Sequence, residues 1–264
     1  MHIKDITSKD NSIFKLIKTL SNKKARDENG LYLIEGSRLL EEAIKHEVVF
    51  QYMIANENAN LPEVNFGCQV LRVTNNMFKE ISDTVTPQGV IGVAKQKNAS
   101  LGDLQPSPNP LIIVLNGIQD PGNLGTIIRT AAAAKATAII LTEGTVDLYN
   151  PKVIRSTMGA AFQIPIICGL SDKEIIEWLE ENNISILVAD INAEQYYFNV
   201  NLKEAVALVI GNENKGPSPR WQGAAGHKIK IPIPGDTESL NASIAAGILI
   251  YDVIRQRSSE KFDI

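Results

Sequence analysis

The chain is poor in the residues that usually announce a metal, a redox couple or a membrane. Its 264 residues hold two cysteines, Cys68 and Cys168, and three histidines, His2, His46 and His227. The cysteines are too far apart in sequence for a disulfide framework or a ligand set. Both read as small buried hydrophobes in a reducing compartment. The scattered histidines leave no basis for a bound catalytic zinc, so no metal is expected. No apolar run approaches the roughly 18 residues that span a bilayer. The first residues, Met-His-Ile-Lys-Asp-Ile-Thr, lack the apolar core of a secretion signal. A cytoplasmic protein without a membrane partner is expected. Positive charge is not in excess either: 26 Lys and Arg face 30 Asp and Glu, a net charge of −4. That balance argues against a protein that coats nucleic acid, but it leaves room for a local basic patch. Lys15, Lys18, Lys23, Lys24 and Arg26 form one such run with no acidic residue among them. On composition alone it reads as a solvated helix face and its loop.

What remains is an ordinary globular composition, 44% hydrophobic and 21% charged, long enough for one large domain or two. In the first half, Ile13, Phe14, Ile17 and Leu20 mark one face of a helix over 12–20. Strand-like runs follow at 31–34, 48–54, 68–73 and 89–94, with helices at 38–46 and 76–82. This half reads as a small α/β unit. Gln105-Pro-Ser-Pro-Asn-Pro110 is proline-rich and reads as a linker over 105–110, dividing 1–104 from 111–264. Beyond it the alternation is more regular. Continuous apolar runs at 111–115, 138–141, 185–189 and 205–210 suit buried parallel strands, with a further short strand at 228–231. Helices are expected at 123–135, 150–161, 172–182 and 240–257, the second opening on Asn150-Pro151. The pattern implies a mostly parallel sheet with helices on both faces.

Three glycine-marked segments lie at the ends of these strands: 116–125 continuing to Arg129, 211–216, and 231–243. Loops at the carboxyl ends of parallel strands are where α/β proteins place polar groups. Asn123, Arg129, Glu213, Ser239 and Asn241 are the groups so placed. The first segment lacks the G-x-G-x-x-G spacing of a dinucleotide loop, and Gly122 is followed by Asn-Leu rather than the Lys-Ser/Thr of a Walker loop. Those two absences count against an ordinary nucleotide-dependent enzyme. Each polar residue alone has a plain structural explanation. Arg129 could snorkel to solvent, and Ser239 or Asn241 could cap the last helix. Asn123 and Arg129, six residues apart, are taken to share one broad helix face.

The joint order of the three segments resembles the SpoU (TrmH) family of RNA ribose 2′-O-methyltransferases, within the SPOUT superfamily. The residues that carry the resemblance are Asp120-Pro-Gly-Asn123-Leu-Gly125 with Ile128-Arg129-Thr130-Ala131, then Leu208-Val-Ile-Gly211-Asn-Glu213-Asn-Lys-Gly216, then Ile231 to Ser243. Upstream, Ile34-Glu35-Gly36-Ser37-Arg38 is similar to a signature of the substrate-binding domain that often precedes this catalytic domain. The chain departs from many relatives at Lys135-Ala136, where they carry Phe-Gly, outside the expected chemistry. The resemblance implies a fold with a C-terminal trefoil knot preceded by a small ribosomal-protein-like α/β domain. It also implies S-adenosylmethionine as methyl donor, 23S ribosomal RNA as substrate, and a homodimer. Arg129, Asn123, Glu213, Ser239 and Asn241 would then be the catalytic set, and Gly211, Asn212, Ile231, Leu240 and Asn241 the cofactor contacts. Lys15, Lys18, Lys23, Lys24, Arg26 and Arg38 would contact RNA. A tRNA methyltransferase, or an inactive RNA-binding assembly factor, are the alternatives.

Overall fold

The computed structural model describes residues 3–59, 68–97, 99–104 and 107–258. His2, and Gln105 and Pro106 of the expected linker, lie outside the described residues. The chain divides into two compact units, Met1–Lys97 with Asp147–Phe162, and Asn98–Val146 with Gln163–Ile264. The division therefore differs from a single cut at the proline-rich segment. A stretch from the second half of the sequence packs with the first.

The first unit runs β1 (Ile3–Ile6), α1 (Ser12–Thr19), α2 (Lys23–Asn29), β2 (Leu31–Glu35), α3 (Ser37–Lys45), β3 (Phe50–Asn56), β4 (Gln69–Val73), α4 (Asn75–Ile81) and β5 (Val90–Lys95). Its sheet has the order β1-β4-β3-β5-β2. β1, β4 and β3 are parallel, and β5 runs antiparallel to both β3 and β2. Asn11 caps α1 by accepting from the backbone of Ile13 and Phe14. Phe14, Ile17 and Leu20 then pack with Leu71 and Phe78 on one face of the sheet. On the other face Tyr32, Ile34, Leu40, Phe50 and Met53 share a core with Ile154, with Tyr149 and Phe162 packed against it. These last three come from Asp147–Phe162, which carries the short helix Pro151–Ser156, α6 in chain order. Asn150 caps that helix as expected, but the helix stops at Ser156 rather than near Ala161. Met158 and Gly159 turn the chain through the left-handed region at φ 52° and 92°.

One expected RNA contact is corrected here. Arg26 sits not on a basic loop but in α2, and it is 2% exposed. Its Nε and Nη2 donate to Asp147 Oδ2 at 3.0 and 2.5 Å. Its Nη1 donates to the carbonyls of Leu20 and Ser21 at 2.9 and 2.8 Å. A guanidinium so enclosed cannot reach a phosphate. The lysines stay exposed but each has an acidic neighbour: Lys15 with Asp10 at 2.7 Å, Lys18 with Glu80 at 2.7 Å, Lys23 with Asp27 at 2.5 Å and Lys24 with Glu28 at 3.8 Å. Lys18, with Lys9 beside it, holds the Glu80 carboxyl down to about 2. Folding thus brings negative charge back to a run that has none in sequence.

The second unit continues with β6 (Leu111–Asn116), α5 (Pro121–Ala133), β7 (Ala138–Thr142), β8 (Ile166–Leu170), α7 (Asp172–Glu181), β9 (Ser185–Ala189), β10 (Gln195–Tyr196), β11 (Val206–Gly211), α8 (Pro219–Ala224), β12 (His227–Lys230) and α9 (Ala242–Arg257). Its seven strands have the order β10-β12-β9-β11-β6-β7-β8, and the pairings are parallel. β6 is buried along its whole length and β11 up to Ile210. That is why their sequences read as continuous branched apolar runs rather than alternating ones. Their register pairs Asn116 with Gly211, so the first two glycine-marked loops leave the sheet side by side. Of the alanines of α5 only Ala131 is buried; Ala132 is half-buried and Ala133 exposed, and the buried Ala134 caps the helix end. The cysteines are not the buried pair expected. Cys168 is exposed on the edge strand β8 and Cys68 is half-buried.

Candidate functional site

The first loop is built to hold α5 by its start. Asp120 caps the helix by accepting from Asn123 N at 2.8 Å, and Pro121 occupies the first helical turn. Behind it the buried Asn116 donates to Thr142 Oγ1 at 3.0 Å and Asp172 Oδ1 at 3.3 Å, and accepts from Ser218 N at 2.8 Å. Ser218 Oγ closes the ring on Asp172 Oδ2 at 2.8 Å. This network fixes the far end of the second loop to the ends of β6 and β7.

The second loop doubles back on itself. Asn212 and Gly216 exchange backbone hydrogen bonds at 3.2 and 2.9 Å. Asn212 Oδ1 accepts from the backbone of Asn214 and Lys215, both at 3.0 Å, and Nδ2 donates to Gly117 O at 2.8 Å. The fold-back explains Gly211. A Cβ there would lie 2.1 Å from Pro217 N and 2.3 Å from Gly216 C, both backbone atoms. The same fold-back carries Glu213 to the first loop. Its carboxylate accepts from Asn123 Nδ2 at 3.0 Å and from the backbone N–H groups of Gln119 and Asp120, each at 3.2 Å.

The third loop ends in α9, and Asn241 caps it by accepting from Ser243 and Ile244. Its Nδ2 donates to Asn123 Oδ1 at 2.9 Å. Asn241, Asn123 and Glu213 are therefore one hydrogen-bonded chain that clasps all three loops. Partial burial pushes the Glu213 carboxyl up, but the donors from Asn123, Gln119 and Asp120 outweigh it and leave the group below its usual range. Glu213 is an anion with its lone pairs engaged, so it is a poor proton acceptor.

Beside the clasp lies a cavity of about 670 Å³. All five expected cofactor contacts, Gly211, Asn212, Ile231, Leu240 and Asn241, line it, as do Glu213 and Ser239. Asn212 lines it while its own polar groups hold the loop. The reading of Asn123 and Arg129 as sharing a face does not hold. At about 100° per residue, six residues leave them roughly 120° apart. Asn123 is buried at 9% exposure, whereas Arg129 is exposed and has no hydrogen bond or ion pair among the described residues. Arg129 is not among the residues that line the cavity. Ser239 is also exposed and has no partner among the described residues. Sequence reasoning missed the wall supplied by Asp190, Ile191 and Asn192, which follow β9. The signal was present, since β9 is a parallel strand whose carboxyl end lies one strand from β11.

The model of the SpoU rRNA Methylase family matches residues 110–251. The chain belongs to that family. The MRM3-like substrate binding domain matches residues 11–92. Among similar proteins, the 23S rRNA (guanosine(2553)-2′-O)-methyltransferase RlmP of Bacillus subtilis is 30% identical over 250 residues, covering 94% of this chain and 98% of that one. An AdoMet-bound rRNA methyltransferase from Sinorhizobium meliloti superposes with a TM-score of 0.88 at 32% identity, over 96% of this chain and 98% of that one. The SpoU methyltransferase AviRb from Streptomyces viridochromogenes, in complex with AdoMet, gives 0.88 at 26% identity, over 95% and 100%. The clasp and the cavity adjoin, since Glu213 and Asn241 belong to both. Asn123, Glu213 and Asn241 pair across the loops, whereas Arg129 and Ser239 have no partner among the described residues.

Proposed function

We propose that this chain transfers the methyl group of S-adenosylmethionine to a ribose 2′-hydroxyl of 23S ribosomal RNA, in the cytoplasm. The observation that carries the reading is the clasp of Asn241, Asn123 and Glu213 beside a cavity of about 670 Å³. That volume lies within the range of roughly 300–1,000 Å³ usual for small-molecule sites. The lining fits the donor. Ile210, Ile231, Leu240 and Leu249 offer an apolar wall, while Asp190, Asn192 and Lys230 offer polar edges. Gly211 brings backbone where a side chain would collide. When bound, S-adenosylmethionine supplies an electrophilic methyl group on a sulfonium.

The chain's own task is to orient and activate a weak nucleophile. A ribose hydroxyl is a poor acid; as its oxygen gains the methyl carbon and the donor's S–C bond breaks to leave a neutral thioether, its proton must pass to solvent water. Arg129 is permanently charged and so no base. It is the cation that stabilises the developing alkoxide and holds the adjacent phosphate. Ser239 hydrogen-bonds the ribose. Asn123, Glu213 and Asn241 keep the loops in register, so their removal acts through geometry.

The reading extends to the assembly. Ile244, Ile248 and Tyr251 recur at i, i+4 and i+7 on α9, and Ile244 and Tyr251 are 55% and 52% exposed. This stripe suits a homodimer contact, and Arg129 would meet the cavity in the assembled dimer. The threading of the last segment through a trefoil knot and a ribosomal-protein-like first unit belong to the same reading. A calorimetric titration with S-adenosylmethionine, ATP and NADH tests it. Only the first is expected to bind, and Gly211→Ala is expected to weaken it at least about tenfold by displacing the loop. Binding of ATP or NADH in its place would contradict the reading.

A further inference from the structure

The first unit holds a second cavity, of about 230 Å³, lined by Arg38, Leu39, Thr86, Gln88, Arg155 and Met158 among others. Its lining acid, Glu35, is already occupied, and so is the nearby Asp83. Glu35 accepts from Ser82 Oγ at 2.5 Å, Thr84 Oγ1 at 2.7 Å and Asp83 N at 3.0 Å. Asp83 pairs with Arg155 at 3.2 Å. Arg38 is exposed and has no partner among the described residues, so it carries the unbalanced charge. Gln88 Oε1 is fixed by Ser37 N at 2.9 Å, which leaves its NH₂ as a donor. Two apolar side chains stand open to solvent beside these groups. Val85, between the lining residues Thr84 and Thr86, is fully exposed. Met158 is 47% exposed and held at φ 52°, where residues other than glycine are uncommon.

We propose that this cavity receives one unpaired nucleotide of the substrate RNA. The inference rests on the reading of the chain as an RNA methyltransferase. An unstacked nucleotide offers apolar faces, a hydrogen-bonding edge and an adjacent phosphate. Met158, Leu39 and Val85 match the faces, Gln88 and Thr86 the edge, and Arg38 the phosphate. The volume, below the range of whole-cofactor sites, suits a single base. Because Met158 and Arg155 come from the 147–162 stretch, the cavity exists only when both parts of the first unit are present.

The test is filter binding of the full-length protein to transcribed 23S rRNA across a salt series, with S-adenosylmethionine affinity measured in parallel. Arg38→Ala is expected to weaken RNA binding about tenfold and to reduce the slope of log K against log salt by about 0.7, one single-strand phosphate's worth. Val85→Ser and Met158→Ala are expected to weaken it roughly threefold to tenfold with the slope unchanged. S-adenosylmethionine should bind all three variants as it binds wild type. Wild-type binding with all three variants unaltered would overturn the cavity's role and leave the methyltransferase reading standing. Variants that bind free 23S rRNA normally but lose affinity for the assembled large subunit would assign the cavity to a ribosomal protein instead, which also overturns the proposal. Failure of the wild type itself to bind RNA would count against the reading on which the inference rests.

Discussion

Arg129→Ala is expected to lower kcat by about 10²–10³-fold, the usual effect of removing one donor from a developing oxyanion. S-adenosylmethionine affinity should stay within about twofold of wild type, because Arg129 is outside the lining of its own chain's cavity and is assigned to the ribose oxygen and its phosphate rather than to the cofactor. The side chain is exposed on α5 and has no hydrogen bond or ion pair among the described residues, so its loss breaks none of those that hold the fold there. Arg129→Lys separates charge from shape. An ammonium keeps the positive charge but not the planar fork that grips oxygen bidentately, so only partial recovery is expected. Single-turnover methylation with calorimetry on the same samples gives both quantities. Full activity in Arg129→Ala would remove its assigned role.

The second large effect concerns stability. Asp147→Ala should destabilise the first unit by about 3–5 kcal/mol, because it leaves the guanidinium of Arg26 buried without its counter-charge. The lower end is expected, since Arg26 keeps the carbonyls of Leu20 and Ser21. Replacing both partners, Arg26→Met with Asp147→Leu, should recover much of the loss, because no charge is then stranded. Urea denaturation of the full chain provides the readout. A fragment ending at residue 104 lacks Asp147, Ile154 and Phe162 together and is expected not to fold. Additive losses in the double variant would show that the pair is not coupled.

That pair also marks where the sequence stops being readable. The four central strands of the second unit were legible because burial on both faces of a parallel sheet selects continuous Val, Ile and Leu runs. The three loops were legible because glycine and capping residues mark strand ends and helix starts. The salt partner of Arg26 lies 121 positions away, and no local pattern encodes it. α2 escaped because its seven residues, Lys-Lys-Ala-Arg-Asp-Glu-Asn, present no apolar stripe. Only the Asn22 cap and the left-handed Gly30 delimit it. β1 and β8 escaped because edge strands bury little, and β1 has one buried residue in four. At the site, the three loops could be read from the sequence, but which of their side chains pair with one another could not. Asn123 and Arg129 belong to one helix, yet one is spent on the clasp and the other faces solvent.

The most direct test of the central claim is to incubate the protein with radiolabelled S-adenosylmethionine and 23S rRNA, then hydrolyse the RNA in alkali. Alkaline cleavage needs a free 2′-hydroxyl beside the phosphate, so a methylated ribose survives as a dinucleotide. The account predicts that the label is found in one alkali-resistant dinucleotide and is lost with Arg129→Ala. Label recovered in mononucleotides, carried on a base, would contradict it.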